Sequence, residues 1–224
     1  MGKCVVVCAG EPCRLDKLPG FSVGEGDFVI CADGGLDFAL AHGLPVHLVV
    51  GDFDSSACTQ SQAKALGLPV YEVPSEKDDT DTMLAVKLGL ERGYREFALL
   101  CALGGRLDHT LANLCALAYL KGQGASGWLY GRNEQVTLLE NETLELPAAR
   151  FYGQGDTPAM LSVFAYTEAC RGVTLEKVKY PLQNYTLTQR FPLGVSNELA
   201  GESARVTAGQ GQLLVMLVQE ERRN

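Results

Sequence analysis

Short apolar runs alternate with segments of helical periodicity through the first half of the chain. Each apolar run has the length of a buried strand, and the runs lie at residues 4–8, 28–31, 48–50, 69–73 and 97–101. The segments between them repeat apolar residues at helical spacing, at residues 35–42, 59–66, 80–92 and 108–121. This alternation is typical of parallel βαβ units. It predicts an N-terminal α/β domain built on a doubly wound, mostly parallel sheet.

The pattern changes at residues 121–127, where small residues predominate and predict a linker. Beyond it the helical period disappears. Six short runs of strand character follow, at residues 135–140, 160–165, 172–179, 184–189, 203–207 and 211–219. They predict a small antiparallel β-sandwich or barrel. We therefore expect two domains, at residues 1–126 and 127–224.

Charge and composition narrow the class of function. A formal net charge of −8 and a pI near 4.9 disfavour nucleic-acid binding, which needs a basic surface. No apolar run is long enough to span a membrane, and the first is too short for a signal peptide. The eight cysteines include no Cys-x-x-Cys pair, which predicts small buried side chains in a reducing compartment. We expect a cytoplasmic enzyme that binds neither membranes nor nucleic acids.

Two carboxylates follow the third apolar run. This run stops at Gly51, and Asp52 and Asp54 come next at alternate positions. In an extended chain alternate side chains share one side. Two anions held together repel unless a cation or a proton lies between them, so the pair predicts either Mg²⁺ or a raised pKa. The simpler alternative is that each aspartate caps a turn or the following helix.

A second acidic segment, at residues 76–81, precedes the third predicted helix. Asp79 or Thr80 as the helix N-cap is the simpler interpretation. The segment carries more charge than a cap needs. Lys77 would either offset the repulsion between its acidic neighbours or contact a phosphate, and a carboxylate held by Mg²⁺ could orient a hydroxyl nucleophile.

A third segment, after the fifth apolar run, favours an anion. Gly104 and Gly105 would let backbone N–H groups approach it closely, and Arg106 would donate at two points. Asp108 opens the next helix, and His109 is either a base or a hydrogen-bonding residue behind the reacting groups. The chain lacks both a Gly-x-x-x-x-Gly-Lys-Ser/Thr loop and a Gly-x-Gly-x-x-Gly turn after the first run, which disfavours P-loop and dinucleotide chemistry.

Ligands of a doubly wound sheet bind beyond the carboxyl ends of its strands, and the polar motifs of the first half fall there. The complete set is Ala32-Asp33-Gly34-Gly35, Gly51-Asp52-Phe53-Asp54-Ser55, Lys77-Asp78-Asp79-Thr80-Asp81, Gly104-Gly105-Arg106-Leu107-Asp108-His109 and Gly194-Val195-Ser196-Asn197-Glu198. In this order, and over most of the chain, the set resembles the bacterial thiamine pyrophosphokinase family. The resemblance implies a catalytic α/β domain followed by a β-sandwich that helps to bind thiamine.

The resemblance also implies the reaction and its residues. Such enzymes transfer the pyrophosphoryl group of ATP to the hydroxyethyl group of thiamine, with Mg²⁺, and release thiamine diphosphate and AMP. The implied metal ligands are Asp52, Asp54 and Asp81, with Asp78 and Arg106 as further catalytic residues. The implied ATP-binding residues are Asp33, Gly34, Lys77, Thr80, Gly105, Arg106, Asp108 and His109. Ser196 and Asn197 would contact the thiamine pyrimidine.

By the same resemblance we expect a homodimer with the thiamine site at the subunit interface. Two features depart from the family pattern: residues 9–13 contain a single glycine where a more glycine-rich turn is expected, and the single tryptophan, Trp128, lies far along the chain from Ser196 and Asn197.

Three alternative functions stay open. They are a pyrophosphokinase acting on a pterin, a non-catalytic thiamine or nucleotide sensor of the same fold, and a metal-dependent sugar transferase with an Asp-x-Asp motif.

Overall fold

The computed structural model describes residues 2–18, 21–51, 60–72, 78–152 and 158–219. The chain divides into two compact units, Met1–Cys13 with Ser22–Arg132, and Arg14–Phe21 with Asn133–Asn224. Among the described residues, no helix combines the length and apolarity needed to cross a membrane. The mixed α/β class predicted from the sequence is confirmed. The predicted division between residues 126 and 127 falls inside a strand of the first unit.

The first unit contains a parallel sheet. Its strands are β1 (Cys4–Val7), β2 (Phe28–Ala32), β3 (Leu48–Gly51), β4 (Val70–Glu72), β5 (Glu96–Leu100) and β6 (Ser126–Tyr130). They pair in the order β6-β5-β1-β2-β3-β4, and each pair is parallel. Every side chain of β1 is buried, as expected for a central strand covered on both faces. The order reverses at β1, so β1 and β5 flank a topological switch point.

Four helices accompany this sheet: α1 (Gly35–Ala41), α2 (Gln60–Ala65), α3 (Asp81–Glu91) and α4 (Leu107–Gly122). All four were predicted, each within about two residues at either end. Thr80 caps α3, since its hydroxyl accepts a hydrogen bond from the Met83 N–H at 3.1 Å. The helix ends at Glu91, and Gly93, two residues later, has a φ of 89° that allows the Tyr94 N–H to donate to the Gly89 carbonyl at 3.2 Å. Thr80 and Gly93 therefore define the two ends of α3.

The second unit is built mainly from antiparallel strands: β7 (Glu134–Pro147), β8 (Met160–Ala165), β9 (Ala169–Glu176), β10 (Leu182–Thr188) and β11 (Ser203–Val218). A short helix, α5 (Ala148–Tyr152), follows β7. Strand β11 pairs with β7, β8 and β9, and β10 pairs with β9. Two strands predicted at residues 203–207 and 211–219 are one strand with a register shift between Ala208 and Gln212. Gly211 lies at this irregularity with a φ of 105°.

Candidate active site

A cavity of about 470 Å³ opens in the first unit at the switch point between β1 and β5. It lies where the carboxyl ends of β1, β2 and β5 meet the amino-terminal ends of α3 and α4. Its lining is Cys8, Ala9, Gly10, Glu11, Pro12, Ala32, Asp33, Thr80, Asp81, Thr82, Ala102, Gly104, Gly105, Arg106, His109, Thr110 and Asn113. Helix amino-terminal ends carry partial positive charge, so this position favours an anionic ligand.

The structure brings together six residues predicted for the site. They are Asp33, Thr80, Asp81, Gly105, Arg106 and His109, and all line the cavity. Of the other predicted residues that the structure describes in this unit, Gly34, Asp78 and Asp108 lie near these segments but do not line it. Asp52, Asp54 and Lys77 lie outside the described residues.

Asp33 stands at the end of β2 in an unusual backbone conformation. Its φ is 48°, its side chain is buried, and its N–H donates to the Val50 carbonyl at 2.8 Å. A Cβ placed on Gly51 would lie 3.1 Å from the Asp33 Cα. Gly51 has a φ of 146°, so a larger side chain there would meet both backbone strain and contact. The glycine before Asp52 therefore lets the end of β3 pack directly against Asp33.

The acidic segment before α3 serves two separate purposes. Both Asp79 carboxylate oxygens accept hydrogen bonds from the Lys87 ammonium, at 2.8 and 2.7 Å, and this contact raises the pKa of Lys87. Asp79 therefore holds the first turns of α3. Asp81, the first residue of α3, instead lines the cavity. The cap interpretation is confirmed for Thr80, whereas the metal-binding role of Asp81 stays a prediction.

The loop between β5 and α4 presents donors to the cavity. Gly104 and Gly105 have φ values of 82° and 67°, a left-handed stretch that favours glycine. The Arg106 Nε and Nη2 atoms donate to the two Asp108 oxygens at 3.1 and 2.6 Å. The Asp108 Oδ1 also accepts from the His109 N–H at 3.0 Å. The hydrogen bonds from Arg106 chiefly lower the pKa of Asp108 to about 2, and the pKa of Arg106 is raised.

Three of the lining residues that the sequence analysis did not predict make contacts that shape the cavity. A Cβ on Gly10 would lie 2.3 Å from the Cys101 carbonyl oxygen, which accepts from the Gly10 N–H at 3.0 Å. Asn113 is buried and donates to the Ala102 carbonyl at 2.7 Å. Glu11 accepts a hydrogen bond from the Gly105 N–H at 3.2 Å. An asparagine among the apolar residues of α4 was a usable signal for Asn113, whereas Glu11 contacts a residue 94 positions away.

Two thiols join the loops on either side of the cavity. The Cys13 and Cys101 Sγ atoms lie 3.8 Å apart, and the Cys13 N–H donates to the Cys101 Sγ at 3.4 Å. Both side chains are buried. Their hydrogen bond lowers the pKa of Cys13 and raises that of Cys101, which burial raises further. Six of the seven described cysteines are buried, as predicted, while Cys115 is exposed.

Comparison with known proteins identifies the chain. The family model described as "Thiamin pyrophosphokinase, catalytic domain" matches residues 23–128, and the model described as "Thiamin pyrophosphokinase, vitamin B1 binding domain" matches residues 154–213. The chain belongs to the thiamin pyrophosphokinase family. This membership confirms the family, the function and the enzyme class that the motifs predicted.

Relatives of the thiamin pyrophosphokinase family match along nearly the whole chain. Thiamine pyrophosphokinase of Bacillus subtilis (strain 168) is 28% identical over 219 residues, which cover 96% of this chain and 98% of the relative. The crystal structure of the Bacillus subtilis enzyme covers 98% of this chain and 100% of its own, at 26% identity and a TM-score of 0.82. The Geobacillus thermodenitrificans structure covers 98% and 99%, at 26% identity and a TM-score of 0.80.

The two residues predicted to bind thiamine occupy different environments in the second unit. Asn197 is buried, and its Oδ1 accepts from the Tyr180 and Glu198 N–H groups, both at 3.0 Å. Its Nδ2 donates to the Tyr180 carbonyl at 2.7 Å. Ser196 is exposed, with a φ of 57°, and its N–H donates to the Ser162 hydroxyl at 3.1 Å. In this structure Asn197 fixes the loop, and Ser196 presents its side chain to solvent.

The donor chemistry of the cavity suits a hard cation. Asp33 and Asp81 supply carboxylate oxygens, the ligands that Mg²⁺ prefers. Over the part of the chain that the structure describes, no three His, Cys, Asp or Glu side chains form a group that could hold a metal ion. Asp52 and Asp54 are outside that part, in the segment that follows Gly51. Asp33 and Asp81 are therefore ligands of the type that suits Mg²⁺, and the described residues alone do not make a complete metal site.

Proposed function

We propose that the cavity of the first unit binds ATP and that the chain transfers its pyrophosphoryl group to the hydroxyethyl oxygen of thiamine. One observation carries this proposal: Asp81 and the Gly105-Arg106 segment line the same cavity, at the switch point of a parallel sheet. A carboxylate, a backbone donor and a guanidinium are the groups that transfer of a polyanion requires. The products are thiamine diphosphate and AMP.

Catalysis would come from positioning and electrostatics, because phosphoryl transfer asks for little covalent chemistry from the protein. Arg106 would donate to the transferring phosphates, and Asp108 would orient the guanidinium through its two hydrogen bonds. The amino-terminal ends of α3 and α4 add fixed positive potential at the cavity. Thr80 and Asp33 would contact the nucleotide from the opposite side, beside Gly34, and Lys77 and His109 complete the proposed binding set.

Mg²⁺ would be held by Asp52, Asp54 and Asp81, with Asp78 close by in sequence. When bound, it would neutralise part of the negative charge on the phosphates. The support in this structure is the Asp81 carboxylate in the cavity and the packing of Gly51, which precedes Asp52, against Asp33. Magnesium dependence is therefore part of the proposal.

The proposal extends to domain roles and assembly. The doubly wound catalytic domain would take residues 1–126, and a β-sandwich at residues 127–224 would supply the thiamine contacts through Ser196, with Asn197 as the residue that shapes the loop. The working enzyme would be a cytoplasmic homodimer that needs both copies to complete the acceptor site. Light scattering at assay concentration checks this directly, since a fully active monomer would contradict it.

An acceptor comparison tests the function. The protein is incubated with ATP and Mg²⁺, and with thiamine, with a hydroxymethyl pterin or with no acceptor. We expect ATP to be consumed faster than in the mixture without acceptor only when the acceptor is thiamine. Consumption with the pterin would favour the pterin alternative, and binding of thiamine without any product would favour a sensor.

A further inference from the structure

In this structure the Gly104-Gly105 segment contacts a carboxylate of the protein itself, that of Glu11. The Gly105 N–H, a predicted phosphate donor, donates to the Glu11 Oε1 at 3.2 Å. A Cβ placed on Gly104 would lie 2.8 Å from both the Cδ and the Oε2 atoms of Glu11. The Glu11 carboxylate therefore lies directly over the two glycines. All three residues line the cavity.

The backbone around Glu11 is fixed, although its side chain is exposed. On one side the Gly10 N–H donates to the Cys101 carbonyl at 3.0 Å. On the other side the Cys13 N–H donates to the Cys101 Sγ at 3.4 Å. Among the described residues, one hydrogen bond, from the Gly105 N–H, holds the exposed carboxylate between these two anchors. The side chain can consequently leave by rotation while the loop stays in place.

A phosphate and the Glu11 carboxylate compete for the same place. One backbone N–H donates well to one anion at a time, and two anions that share one N–H lie close enough to repel each other. A triphosphate that reaches Gly105 must therefore move the carboxylate away, at a free-energy cost that reduces its affinity. Glu11, from the loop after β1, is thus a competitor for the anion position at Gly105.

We propose that Glu11 occupies the phosphate position at Gly105 in the nucleotide-free enzyme and is displaced when ATP binds, so that Glu11 sets the affinity for ATP. The inference rests on the proposed function, because it takes the cavity as the ATP site. It assigns Glu11 a role in nucleotide affinity, and no role in the chemical step or in binding of the acceptor.

Two variants and one matched control test the inference. Glu11→Gln removes the charge and keeps an oxygen acceptor, whereas Glu11→Ala removes both. Glu91→Gln makes the same charge change at an exposed position at the end of α3, away from the cavity lining. Dissociation constants for ATP with Mg²⁺ and without acceptor are measured by calorimetry, alongside KM for ATP and for thiamine.

We expect Glu11→Ala and Glu11→Gln to bind ATP about fivefold more tightly than the wild type, with a matching fall in KM for ATP. KM for thiamine should stay unchanged, and Glu91→Gln should behave as the wild type. A merely structural role of Glu11 would give the opposite sign, since a disordered loop binds ATP more weakly.

Three results would overturn the inference. Weaker ATP binding in both variants would mean that Glu11 contacts the nucleotide or its metal ion favourably. Equal binding in all proteins would mean that the carboxylate does not compete. Turnover of thiamine without binding of ATP at the cavity would contradict both the inference and the assignment of the cavity as the ATP site. Absence of turnover in every protein would instead contradict the proposed function.

Discussion

Arg106 and Asp108 form a two-point ion pair at the start of α4, with Nε–Oδ1 and Nη2–Oδ2 distances of 3.1 and 2.6 Å. Their side chains are 72% and 64% exposed, so the pair contributes little to folding stability. Its consequence is geometric. The pair holds the plane of a guanidinium beside a cavity that is lined by Asp81 and Gly105.

Replacing Arg106 by lysine tests this geometry. Lysine keeps the charge but loses the planar fork that binds two oxygens at once. We expect Arg106→Lys to reduce kcat/KM for ATP by about tenfold or more, while the melting temperature stays within about 1 °C because the pair is exposed. Steady-state kinetics and thermal unfolding check both parts.

The control for this substitution is Arg171→Lys, at an exposed position in the second unit. It should leave kcat/KM for ATP unchanged. Wild-type kinetics in Arg106→Lys would show that Arg106 does not bind phosphate through its fork.

The low pKa of Asp108 makes a prediction about pH. Its pKa, about 2, lies below the usual range of an aspartate because Arg106 donates to the charged form. A lowered pKa means that the pair is intact above the unfolded-state value and is lost only as the pH falls through about 2. Carboxyl carbon chemical shifts should therefore show Asp108 ionised throughout the range in which the enzyme works. An Asp108 titration midpoint at or above the usual pKa of an aspartate would contradict the ion pair.

Asp52 and Asp54 are expected to hold the metal ion. Asp52→Asn and Asp54→Asn each remove a hard anionic ligand but almost no volume, so activity should fall by about 100-fold or more with the fold intact. Titrating activity against Mg²⁺ should also show a weaker apparent affinity for the ion. The matched control is Asp16→Asn, an exposed aspartate of the second unit. An active double variant, Asp52→Asn with Asp54→Asn, would contradict the paired-ligand assignment.

Where the signal is local, the sequence predicted which residues come together at this cavity. A buried strand followed by polar residues predicts a ligand position, because the carboxyl ends of parallel strands meet at one edge. Asp33, Asp81, Gly105 and Arg106 were found in this way, and all line the cavity. The partners of these residues were not predictable, since Glu11 with Gly105 and Cys13 with Cys101 join positions 94 and 88 residues apart.

Strand β6 was missed for a different reason. Its first residues, Ser126 and Gly127, belong to a small-residue segment that predicted a flexible linker. A Cβ on Gly127 would lie only 2.9 Å from the Leu120 Cδ1, so this glycine allows α4 to pack closely on β6. Flexible linkers and closely packed strands both favour glycine, so the hydrophobic pattern of the sequence does not distinguish between them.

Gly127 therefore carries a stability prediction. Gly127→Ala should lower the free energy of unfolding by about 1–3 kcal/mol, because the added methyl group overpacks the contact with Leu120. Gly122→Ala is the matched control, since a Cβ there meets nothing within 4 Å at the last residue of α4. It should leave stability unchanged or raise it by up to about 1 kcal/mol. Urea unfolding measures both, and equal stability of the two variants would contradict the packing role.

Product analysis tests the central claim most directly. The protein is incubated with ATP, thiamine and Mg²⁺, and AMP, ADP, thiamine monophosphate and thiamine diphosphate are quantified by mass spectrometry over time, with Asp81→Asn as the inactive control. Transfer of an intact pyrophosphoryl group predicts AMP and thiamine diphosphate in equal amounts from the earliest time point. ADP formed together with thiamine monophosphate would contradict the account, because it would show transfer of a single phosphoryl group.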